Sequence, residues 1–305
     1  MKVAVFSAKP YDETYFNQEN KPFNHELVFF ESRLNAMTAR LGKGFDAVCA
    51  FVNDDVDEAA LKMLSERGVK TVALRCAGFN NVDLEAAAAL GIAIVRVPEY
   101  SPHGVAEHAV ALMFAAARKI ASMDRSVRAG AFEPMDGIEL AGKTLGVVGT
   151  GGIGKEMIRL GAALGMKVIA WNRSGLADGL PATSADLDHL LGQADIVSLH
   201  LALNDQTEGM IDRRRLALLK KTAILINTAR GSILDEEGLI EVLRDGRIAH
   251  AALDVFEDEP IGPAHALAKL TNTTLSPHAA FMTKEASERL LKMALEILAE
   301  ERAAA

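Results

Sequence analysis

Residues 145–157 read LGVVGTGGIGKEM, and this stretch decides the fold. Gly149, Gly151 and Gly154 have the spacing G-x-G-x-x-G, directly after the predicted strand Thr144–Val148 and at the start of a predicted helix. The first glycine permits a tight turn, the second lets the backbone approach a pyrophosphate, and the third lets helix and strand pack closely. The motif alone could be a chance glycine-rich turn. Between a strand and a helix it favours a dinucleotide bound at the helix N-terminus.

Short apolar stretches alternate with helical stretches along the whole chain. Apolar strands separated by helices are typical of parallel sheets covered on both faces. The strands predicted in the first third of the chain are Val3–Ser7, Leu27–Phe30, Ala47–Val52, Thr71–Leu74 and Ile92–Val97. Those predicted later are Thr144–Val148, Lys167–Trp171, Asp195–Leu199, Ala223–Asn227, His250–Val255 and Thr273–Leu275. We therefore predict an α/β protein with two doubly wound parallel-sheet (Rossmann-like) domains and a cleft between them.

Two predicted helices fit this plan imperfectly. Val105–Lys119 is apolar nearly all round, so it has to be buried on more than one side. It is either a plain core helix or a bridge between two domains or two subunits, and the second alternative predicts a homo-oligomer, a dimer or higher. The last helix, about Lys284–Arg302, carries an apolar stripe. If it returns to the first domain, residues 1–99 and 280–305 form one discontinuous domain and residues 100–279 form the other.

Composition and charge argue against several classes of protein. Of the 305 residues 50% are apolar and 24% are charged, which is an ordinary globular profile rather than a disordered one. The net charge of −8 argues against binding to a nucleic-acid backbone. No apolar stretch approaches the ~20 residues that a bilayer span requires. Cys49 and Cys76 lack CxxC spacing. We expect a cytoplasmic protein without a metal site, a nucleic-acid partner or a membrane partner.

The residues after the predicted strand Lys167–Trp171 bear on the choice of dinucleotide. An NAD enzyme usually has Asp or Glu here, which accepts a hydrogen bond from the ribose 2′-OH. This chain has Asn172, Arg173 and Ser174 instead. A carboxylate would repel a 2′-phosphate, whereas an amide, a guanidinium and a hydroxyl can bind one. The segment favours NADP(H). If Arg173 is only a solvated loop charge, NAD(H) is the cofactor.

Three ionisable residues follow later strands: Arg230 in INTARGSILDE, Glu259 in LDVFEDEP and His278 in LSPHAAF. Each alone has an ordinary interpretation, as a loop cation, as one of three neighbouring acids, or as one of eight histidines. Ligands of doubly wound sheets bind beyond the carboxyl ends of the strands, so all three are expected in one crevice beside the dinucleotide. Their shared position predicts a catalytic site.

These motifs together resemble the D-isomer-specific 2-hydroxyacid dehydrogenases. The segments GTGGIG, NTARGSILDE, ALDVFEDEP and SPHAAF have the order and separation of that family, and the resemblance covers nearly the whole chain. FVNDD at 51–55, RCAGFNNVD at 75–83 and VPEYSPHGVAEHAV at 97–110 resemble the D-lactate dehydrogenase branch. The resemblance implies that the second domain binds the dinucleotide and that the first supplies the other wall of the cleft. It also implies a small 2-oxo or 2-hydroxy acid as substrate, with pyruvate first.

Roles for the three ionisable residues follow from their chemistry and agree with the family's. Arg230 would hold the carboxylate and keto oxygen of a 2-oxo acid through its planar fork of donors. His278, as imidazolium, would protonate the developing alkoxide while a hydride arrives from the nicotinamide. Glu259 would favour the charged ring and fix its orientation.

The resemblance also implies further contacts. Backbone amides at Ala77 and Gly78 are expected to bind the substrate carboxylate, and Tyr100 to add a phenolic hydrogen bond. Phe51 and Phe281 are expected to bound the side-chain pocket, with core packing as the alternative, and the bulky ring at 51 favours pyruvate. The remaining residues expected to contact the dinucleotide are Gly152, Ile153, His200, Thr207, Thr228, Ala229 and Asp254, the last facing the nicotinamide carboxamide.

Three features depart from the family pattern. Asn172–Arg173 replaces an acidic residue, and Ala202 stands where a proline usually follows the family's histidine, here His200. The stretch from Glu259 to His278 is shorter than in the lactate branch and resembles the glyoxylate and hydroxypyruvate reductases. A glyoxylate/hydroxypyruvate reductase using the same site is therefore the enzymatic alternative. The alternative from another class is a dinucleotide-sensing interaction protein similar to the family's corepressors.

Overall fold

The computed structural model describes residues 1–304, except for the side chains of residues 302 and 304. The described chain forms two compact units. The first unit comprises Met1–Tyr100 together with the chain from Thr283 onward, and the second unit comprises Ser101–Met282. No helix within residues 1–304 is long and apolar enough to cross a membrane.

Strands and helices alternate through both units. The strands are β1 (Lys2–Val5), β2 (Glu26–Phe29), β3 (Ala47–Ala50), β4 (Thr71–Leu74), β5 (Ala93–Arg96), β6 (Thr144–Val148), β7 (Lys167–Trp171), β8 (Thr183–Ser184), β9 (Ile196–Leu199), β10 (Ile224–Asn227), β11 (His250–Leu253) and β12 (Thr273–Leu275). The α-helices are α1 (Pro10–Glu19), α2 (Glu58–Glu66), α3 (Leu84–Ala89), α4 (Pro102–Ala117), α5 (Ile120–Arg128), α6 (Gly152–Ala163), α7 (Leu187–Gln193), α8 (Arg213–Leu216), α9 (Glu236–Arg244), α10 (Ala266–Lys269) and α11 (Lys284–Ala304).

The strands form two parallel sheets, one in each unit. The first has the order β2-β1-β3-β4-β5, and the second has the order β12-β11-β10-β9-β6-β7-β8. This confirms the predicted α/β class with two doubly wound parallel sheets. The predicted strands are all present, with ends that differ by at most two residues. The sequence analysis missed β8, a two-residue exposed strand with no apolar face to detect. It also missed α5, whose apolar residues Ile120, Met123 and Val127 share one helix face but are not buried.

The core of the first unit lies on both faces of its sheet. Alternation along β1 directs Val3 and Val5 to one face, where they pack with Leu291 and Leu295 of α11. Ala4 belongs to the apolar cluster on the other face. Because the apolar stripe of α11 is buried against this sheet, the C-terminal helix belongs to the first unit.

In the second unit, α4 is a core helix with one exposed stripe. Ala109 and Met113 are fully buried in a cluster that includes Met157 of α6. The helix therefore buries its wide apolar face within its own unit. Ala111 and Phe114 lie on the remaining stripe and are exposed. Of the two alternatives for this helix, core packing accounts for the buried face and leaves the exposed stripe unexplained.

Candidate active site and dinucleotide site

The functional residues predicted in the second unit follow strands at one edge of the seven-stranded sheet. Arg230, Glu259 and His278 follow β10, β11 and β12, which are adjacent in the sheet. The glycine motif follows β6, and the other dinucleotide candidates follow mostly β7 and β9, which flank it. Because the carboxyl ends of parallel strands share one edge, this edge has an acid–base half (after β10–β12) and a dinucleotide half (after β6, β7 and β9).

Glu259 and His278 are in direct contact. Nδ1 of His278 lies 2.7 Å from Oε2 of Glu259, and each side chain keeps 21% of its surface exposed. Oε1 of Glu259 accepts a hydrogen bond from the Phe256 N–H at 3.1 Å, which holds the carboxylate in place. The Phe281 ring lies edge-on to the imidazole of His278, with the two ring centroids 6.3 Å apart. With Nδ1 bound to the carboxylate, Nε2 is the nitrogen left to exchange a proton with a ligand.

The loop that carries His278 is fixed by Asp254. His278 has a left-handed backbone (φ +52°), which is uncommon for a residue other than glycine. Its N–H donates to the carbonyl of Asp254 at 2.8 Å. The carboxylate of Asp254 accepts the next two N–H groups, from Ala279 at 2.9 Å and Ala280 at 2.8 Å. Three consecutive backbone donors bound to one residue stabilise this unusual turn.

Asp254 is itself held by a serine and a histidine. The Ser276 hydroxyl donates to Oδ1 at 2.5 Å, and it lies 3.0 Å from Nε2 of His108 on α4. Burial alone would raise the pKa of Asp254, but the hydrogen bonds from His108, Ser276 and the loop amides outweigh it and lower the pKa. The Asp254 side chain has no exposed surface. Its contact with the nicotinamide carboxamide therefore stays a prediction, and its observed contacts are with the His278 loop.

Arg230 lies at the end of β10 on a turn fixed from inside the fold. Asn227 is fully buried, accepts a hydrogen bond from the Ala229 N–H at 3.0 Å and donates to the Arg230 carbonyl at 2.8 Å. Nη1 of Arg230 donates to the Ala229 carbonyl at 2.7 Å. Within residues 1–304 the guanidinium has no other hydrogen-bond or ion-pair partner. Its remaining N–H donors can therefore bind an anionic ligand.

Gly231 brings the Arg230 turn against the loop that carries Glu259. A Cβ at position 231 would lie 1.9 Å from the carbonyl carbon of Phe256, so only glycine fits. Phe256 is the residue whose N–H binds the Glu259 carboxylate. The close backbone contact thus joins the turn of the guanidinium to the segment that holds the acid–base pair.

The glycine loop has the geometry of an anion site. Gly149 has φ +93°, and a Cβ there would lie 2.4 Å from the carbonyl oxygen of His200. A Cβ on Gly154 would lie 1.9 Å from the Gly149 oxygen. Gly151, by contrast, faces open space, and as N-cap of α6 it contributes no side-chain hydrogen bond to the first N–H groups. These N–H groups, with the positive end of the helix dipole, fit a dinucleotide pyrophosphate.

Thr228 adds a second observation that fits a bound group. Its hydroxyl oxygen is buried and has no hydrogen-bond partner among the described residues. Buried polar groups rarely stay unpaired. The threonine follows β10, at the border between the two halves of the edge, and its contact with the dinucleotide stays a prediction.

The segment after β7 contains no carboxylate from 172 to 174. The side-chain amide of Asn172 donates to the Ser174 hydroxyl at 2.8 Å and to the Gly175 carbonyl at 3.3 Å. Nη1 of Arg173 donates to the side-chain oxygen of Gln206, in the loop after β9. The segment thus presents an amide, a hydroxyl and a guanidinium at the dinucleotide half.

The loop after β9 is folded without the family's usual proline. The Thr207 hydroxyl donates to the Ala202 carbonyl at 2.6 Å and accepts the Asn204 N–H at 2.9 Å, which closes the turn. Nε2 of His200 lies 2.9 Å from the Ser198 hydroxyl, and burial lowers the pKa of His200 to about 4. His200 is therefore neutral at pH 7, and its carbonyl packs against Gly149.

Comparison with known proteins shows the family of this chain. Residues 110–280 match the NAD-binding domain of the D-isomer specific 2-hydroxyacid dehydrogenases. The D-lactate dehydrogenase of Escherichia coli K12 is 41% identical over 263 residues, which cover 85% of this chain and 80% of that protein. This chain belongs to the D-isomer-specific 2-hydroxyacid dehydrogenase family. Residues 110–280 of this dehydrogenase include the glycine loop, Arg230, Glu259 and His278. The cofactor of the enzyme is a nicotinamide dinucleotide.

Solved structures extend the similarity to the whole dehydrogenase. The apo-structure of D-lactate dehydrogenase from Escherichia coli superposes with a TM-score of 0.93 at 37% identity, covering 100% of this chain and 98% of that one. An NAD-complexed D-isomer specific 2-hydroxyacid dehydrogenase from Lactobacillus delbrueckii ssp. bulgaricus superposes with a TM-score of 0.79 at 30% identity, covering 99% and 98%.

Four predicted substrate residues of the dehydrogenase lie in the first unit. The Phe51 N–H donates to Oδ2 of Asp54 at 2.6 Å. The Ala77 carbonyl accepts Nη1 of Arg96 at 2.7 Å, and Gly78 follows it after β4. The Tyr100 carbonyl accepts Nε of Arg289 at 2.9 Å. These contacts fix the backbone of the segments, and the roles of the four residues in substrate binding stay predictions.

Sequence reasoning missed the supporting residues of the dehydrogenase site. Asn227, Ser276 and His108 all contact a predicted residue or its loop through side-chain hydrogen bonds. The first two are the first residues of the motifs NTARGSILDE and SPHAAF, so their positions were a usable signal. His108 is 168 residues from Ser276 in the chain, and its motif AEHAV carries no local sign of that contact.

Proposed function

We propose that this dehydrogenase reduces a small 2-oxo acid, pyruvate first, to the D-2-hydroxy acid with a reduced nicotinamide dinucleotide. The observation that carries the proposal is the contact of His278 with Glu259 beside the turn of Arg230, at the sheet edge that also bears the glycine loop. A cation with free donors and a histidine oriented by a carboxylate are what polarisation and protonation of a keto group require.

The proposed reaction assigns one role to each residue. Arg230 binds the substrate carboxylate and draws electron density towards the keto oxygen. A reduced nicotinamide dinucleotide held at the glycine loop would supply a hydride to C2. His278 donates its Nε2 proton to the keto oxygen of the same substrate, so that the hydride on carbon and this proton on oxygen together convert C=O to CH–OH. Glu259 holds the imidazole orientation throughout, and in the reverse direction the neutral Nε2 accepts the hydroxyl proton.

We propose substrate contacts for the first unit as well. The N–H groups of Ala77 and Gly78 bind the carboxylate, and the Tyr100 hydroxyl donates a hydrogen bond to the substrate. Phe51 and Phe281 limit the room for the substrate side chain, so that a methyl group is accepted better than a large ring. In this assignment the first unit is the substrate domain and the second is the dinucleotide domain.

The cofactor is proposed to be NADP(H) in preference to NAD(H). Support comes from Asn172, Arg173 and Ser174, because a guanidinium and two neutral polar groups can bind a 2′-phosphate. The amide of Asn172 donates to Ser174, which orders the segment before a ligand arrives.

A glyoxylate or hydroxypyruvate reductase is the second candidate for the same site. It is favoured because the stretch between Glu259 and His278 is shorter than in the D-lactate dehydrogenase branch. Among the described residues this stretch contains one α-helix, α10 (Ala266–Lys269). The acid–base chemistry is identical in the two cases, and only the substrate side chain differs.

Steady-state kinetics with pyruvate, hydroxypyruvate, glyoxylate and phenylpyruvate, each with NADH and NADPH, test both candidates. We expect the highest kcat/KM for pyruvate with NADPH. A preference for glyoxylate or hydroxypyruvate would favour the second candidate, and higher kcat/KM with NADH would contradict the cofactor assignment. Turnover of none of the four acids would overturn the proposed function and leave a dinucleotide-sensing interaction protein.

We also propose that the enzyme is a homodimer. Helix α5 has no buried residue, and after it Phe132 is 91% exposed. Apolar surface of this kind is typical of a protein interface. Light scattering should give twice the mass of the chain, and Phe132→Asp should shift the protein towards the monomer. A monomeric wild-type protein at micromolar concentration would contradict the proposal.

A further inference from the structure

The first unit contains a buried cation that the proposed reaction does not use. Arg75 follows β4, and only 2% of it is exposed. Its Nη2 donates to the carbonyls of Phe6 at 3.1 Å and Ser7 at 2.9 Å. Its Nη1 lies 3.6 Å from the buried carboxylate of Asp12. A buried arginine is stable only when it is paired in this way, so the fold is built around its guanidinium.

The guanidinium lies against the ring of Phe51. Its central carbon is 4.1 Å from the ring centroid. A planar guanidinium stacks well on an aromatic face, and the attraction is stronger when water is excluded. Nε of Arg75 is buried and has no hydrogen-bond partner among residues 1–304. An unpaired buried donor is unfavourable, so this orientation is maintained by the other guanidinium contacts and by the ring.

The backbone of Phe51 is fixed by the same cluster. Its N–H donates to Oδ2 of Asp54 at 2.6 Å, and its carbonyl accepts the side chain of Asn81 at 3.1 Å. The other carboxylate oxygen of Asp54 accepts the Ser7 hydroxyl at 2.6 Å. Ser7 therefore links the two charged groups, because its carbonyl binds Arg75 and its hydroxyl binds Asp54. Both the main chain and the ring of Phe51 are thus held by buried polar groups.

We propose that Arg75 is a specificity-determining positioning residue, whose buried guanidinium holds the Phe51 ring where it restricts the substrate side chain to small groups. The inference rests on the proposed function, in which Phe51 bounds the side-chain pocket. Arg75 acts through the ring and touches neither substrate nor dinucleotide. Loss of the guanidinium frees the ring to turn, and larger 2-oxo acids then bind better.

The test is a double-mutant cycle of Arg75→Met and Phe51→Leu, with kcat and KM measured for pyruvate and phenylpyruvate. For Arg75→Met we expect the ratio of the two kcat/KM values to fall about tenfold, mainly through KM. Phe51→Leu should lower the same ratio. The double variant should match Phe51→Leu alone, because the arginine has no ring left to position. Arg67→Met, at an exposed arginine of the same unit, should leave the ratio unchanged.

Removal of Arg75 alone leaves Asp12 buried without its cation, so Arg75→Met combined with Asp12→Asn provides a second variant in which both charges are absent. A folded variant of either kind with the wild-type ratio would overturn the inference. So would additive effects in the cycle, or an unchanged ratio in Phe51→Leu. If the wild-type enzyme reduces none of the four acids, the proposed function fails and this inference fails with it. The other outcomes overturn the inference alone.

Discussion

Two arginines, Arg230 and Arg75, follow strands at the carboxyl edges of the two parallel sheets, and their surroundings differ. Arg230 is partly exposed and donates to one backbone carbonyl, that of Ala229. Arg75 is buried and binds two carbonyls, a carboxylate and an aromatic ring. The topological position is the same in both units. What separates a ligand-binding cation from a positioning one is how many of its donors the protein has already used.

The same contrast separates the carboxylates at the two edges. Glu259 is partly exposed, and its carboxylate contacts the imidazole of His278. Asp54 has none and accepts hydrogen bonds from Ser7, Leu34 and Phe51. Burial raises the pKa of Asp54, and these bonds counteract the shift in part. The contrast predicts that substitutions of partly exposed residues such as His278 reduce turnover. Substitutions of buried residues such as Asp54 should instead reduce the free energy of unfolding.

His278→Gln should have the largest effect on turnover. Loss of the proton donor should lower kcat by about 10²–10⁴-fold, because general acid–base catalysis contributes roughly that much. The melting temperature and the dissociation constant for the reduced dinucleotide should stay near the wild-type values, since the side chain is partly exposed. His189→Gln, at an exposed histidine of the same unit, serves as the control. Wild-type kcat in His278→Gln would remove this residue from the mechanism.

Asp54→Ala should have the opposite signature. It leaves buried hydrogen-bond donors at Ser7, Leu34 and Phe51 without their acceptor, and we expect the free energy of unfolding to fall by about 3 kcal/mol. Urea denaturation measures this change. Asp55→Ala removes the neighbouring exposed carboxylate and should alter the free energy by less than about 0.5 kcal/mol. Equal effects of the two substitutions would contradict the contrast between open and enclosed charges.

Sequence patterns predicted the sheets because the signal was local. Apolar strands, the glycine spacing and the positions of Arg230, Glu259 and His278 after strands are all visible within short segments. The direct contact of Glu259 with His278 follows from the adjacency of β11 and β12. The sequence analysis included Arg75 only as part of the motif RCAGFNNVD. Its hydrogen bonds could not be predicted, because its partners Phe6 and Ser7 are 69 and 68 residues away in the chain. Buried polar partners are chosen by tertiary packing, which the local pattern does not encode.

Arg173→Ala tests whether an open guanidinium at the dinucleotide half binds a phosphate. We expect the dissociation constant for NADPH to rise by about tenfold or more, equivalent to roughly 1–3 kcal/mol for a hydrogen bond to a charged group. The constant for NADH should change little. Fluorescence titration of both dinucleotides measures this without turnover, and Arg244→Ala, another exposed arginine, is the control. An equal loss of affinity for NADH would argue against 2′-phosphate recognition.

His250 extends the contrast to histidines and should give the smallest effect. Its ring is buried beside the Thr274 hydroxyl at 2.9 Å, and burial, with lesser contributions from Lys119 and Arg125, lowers its pKa to about 4. The unfolded chain takes up this proton near pH 6.5, whereas the folded chain does so only near pH 4. The free energy of unfolding is therefore highest above pH 6.5 and falls as the pH drops towards 4.

His250→Gln removes this proton uptake and keeps a side chain that can bind Thr274. Between pH 7.5 and pH 5 the variant should lose about 1–2 kcal/mol less unfolding free energy than the wild-type protein. A remaining slope is expected, because the pKa of His200 is also lowered to about 4 by burial. Urea denaturation at the two pH values measures the free energy of unfolding, and His189→Gln, at an exposed histidine, is the control. Parallel stability losses in all three proteins would show that enclosure of His250 does not control its protonation.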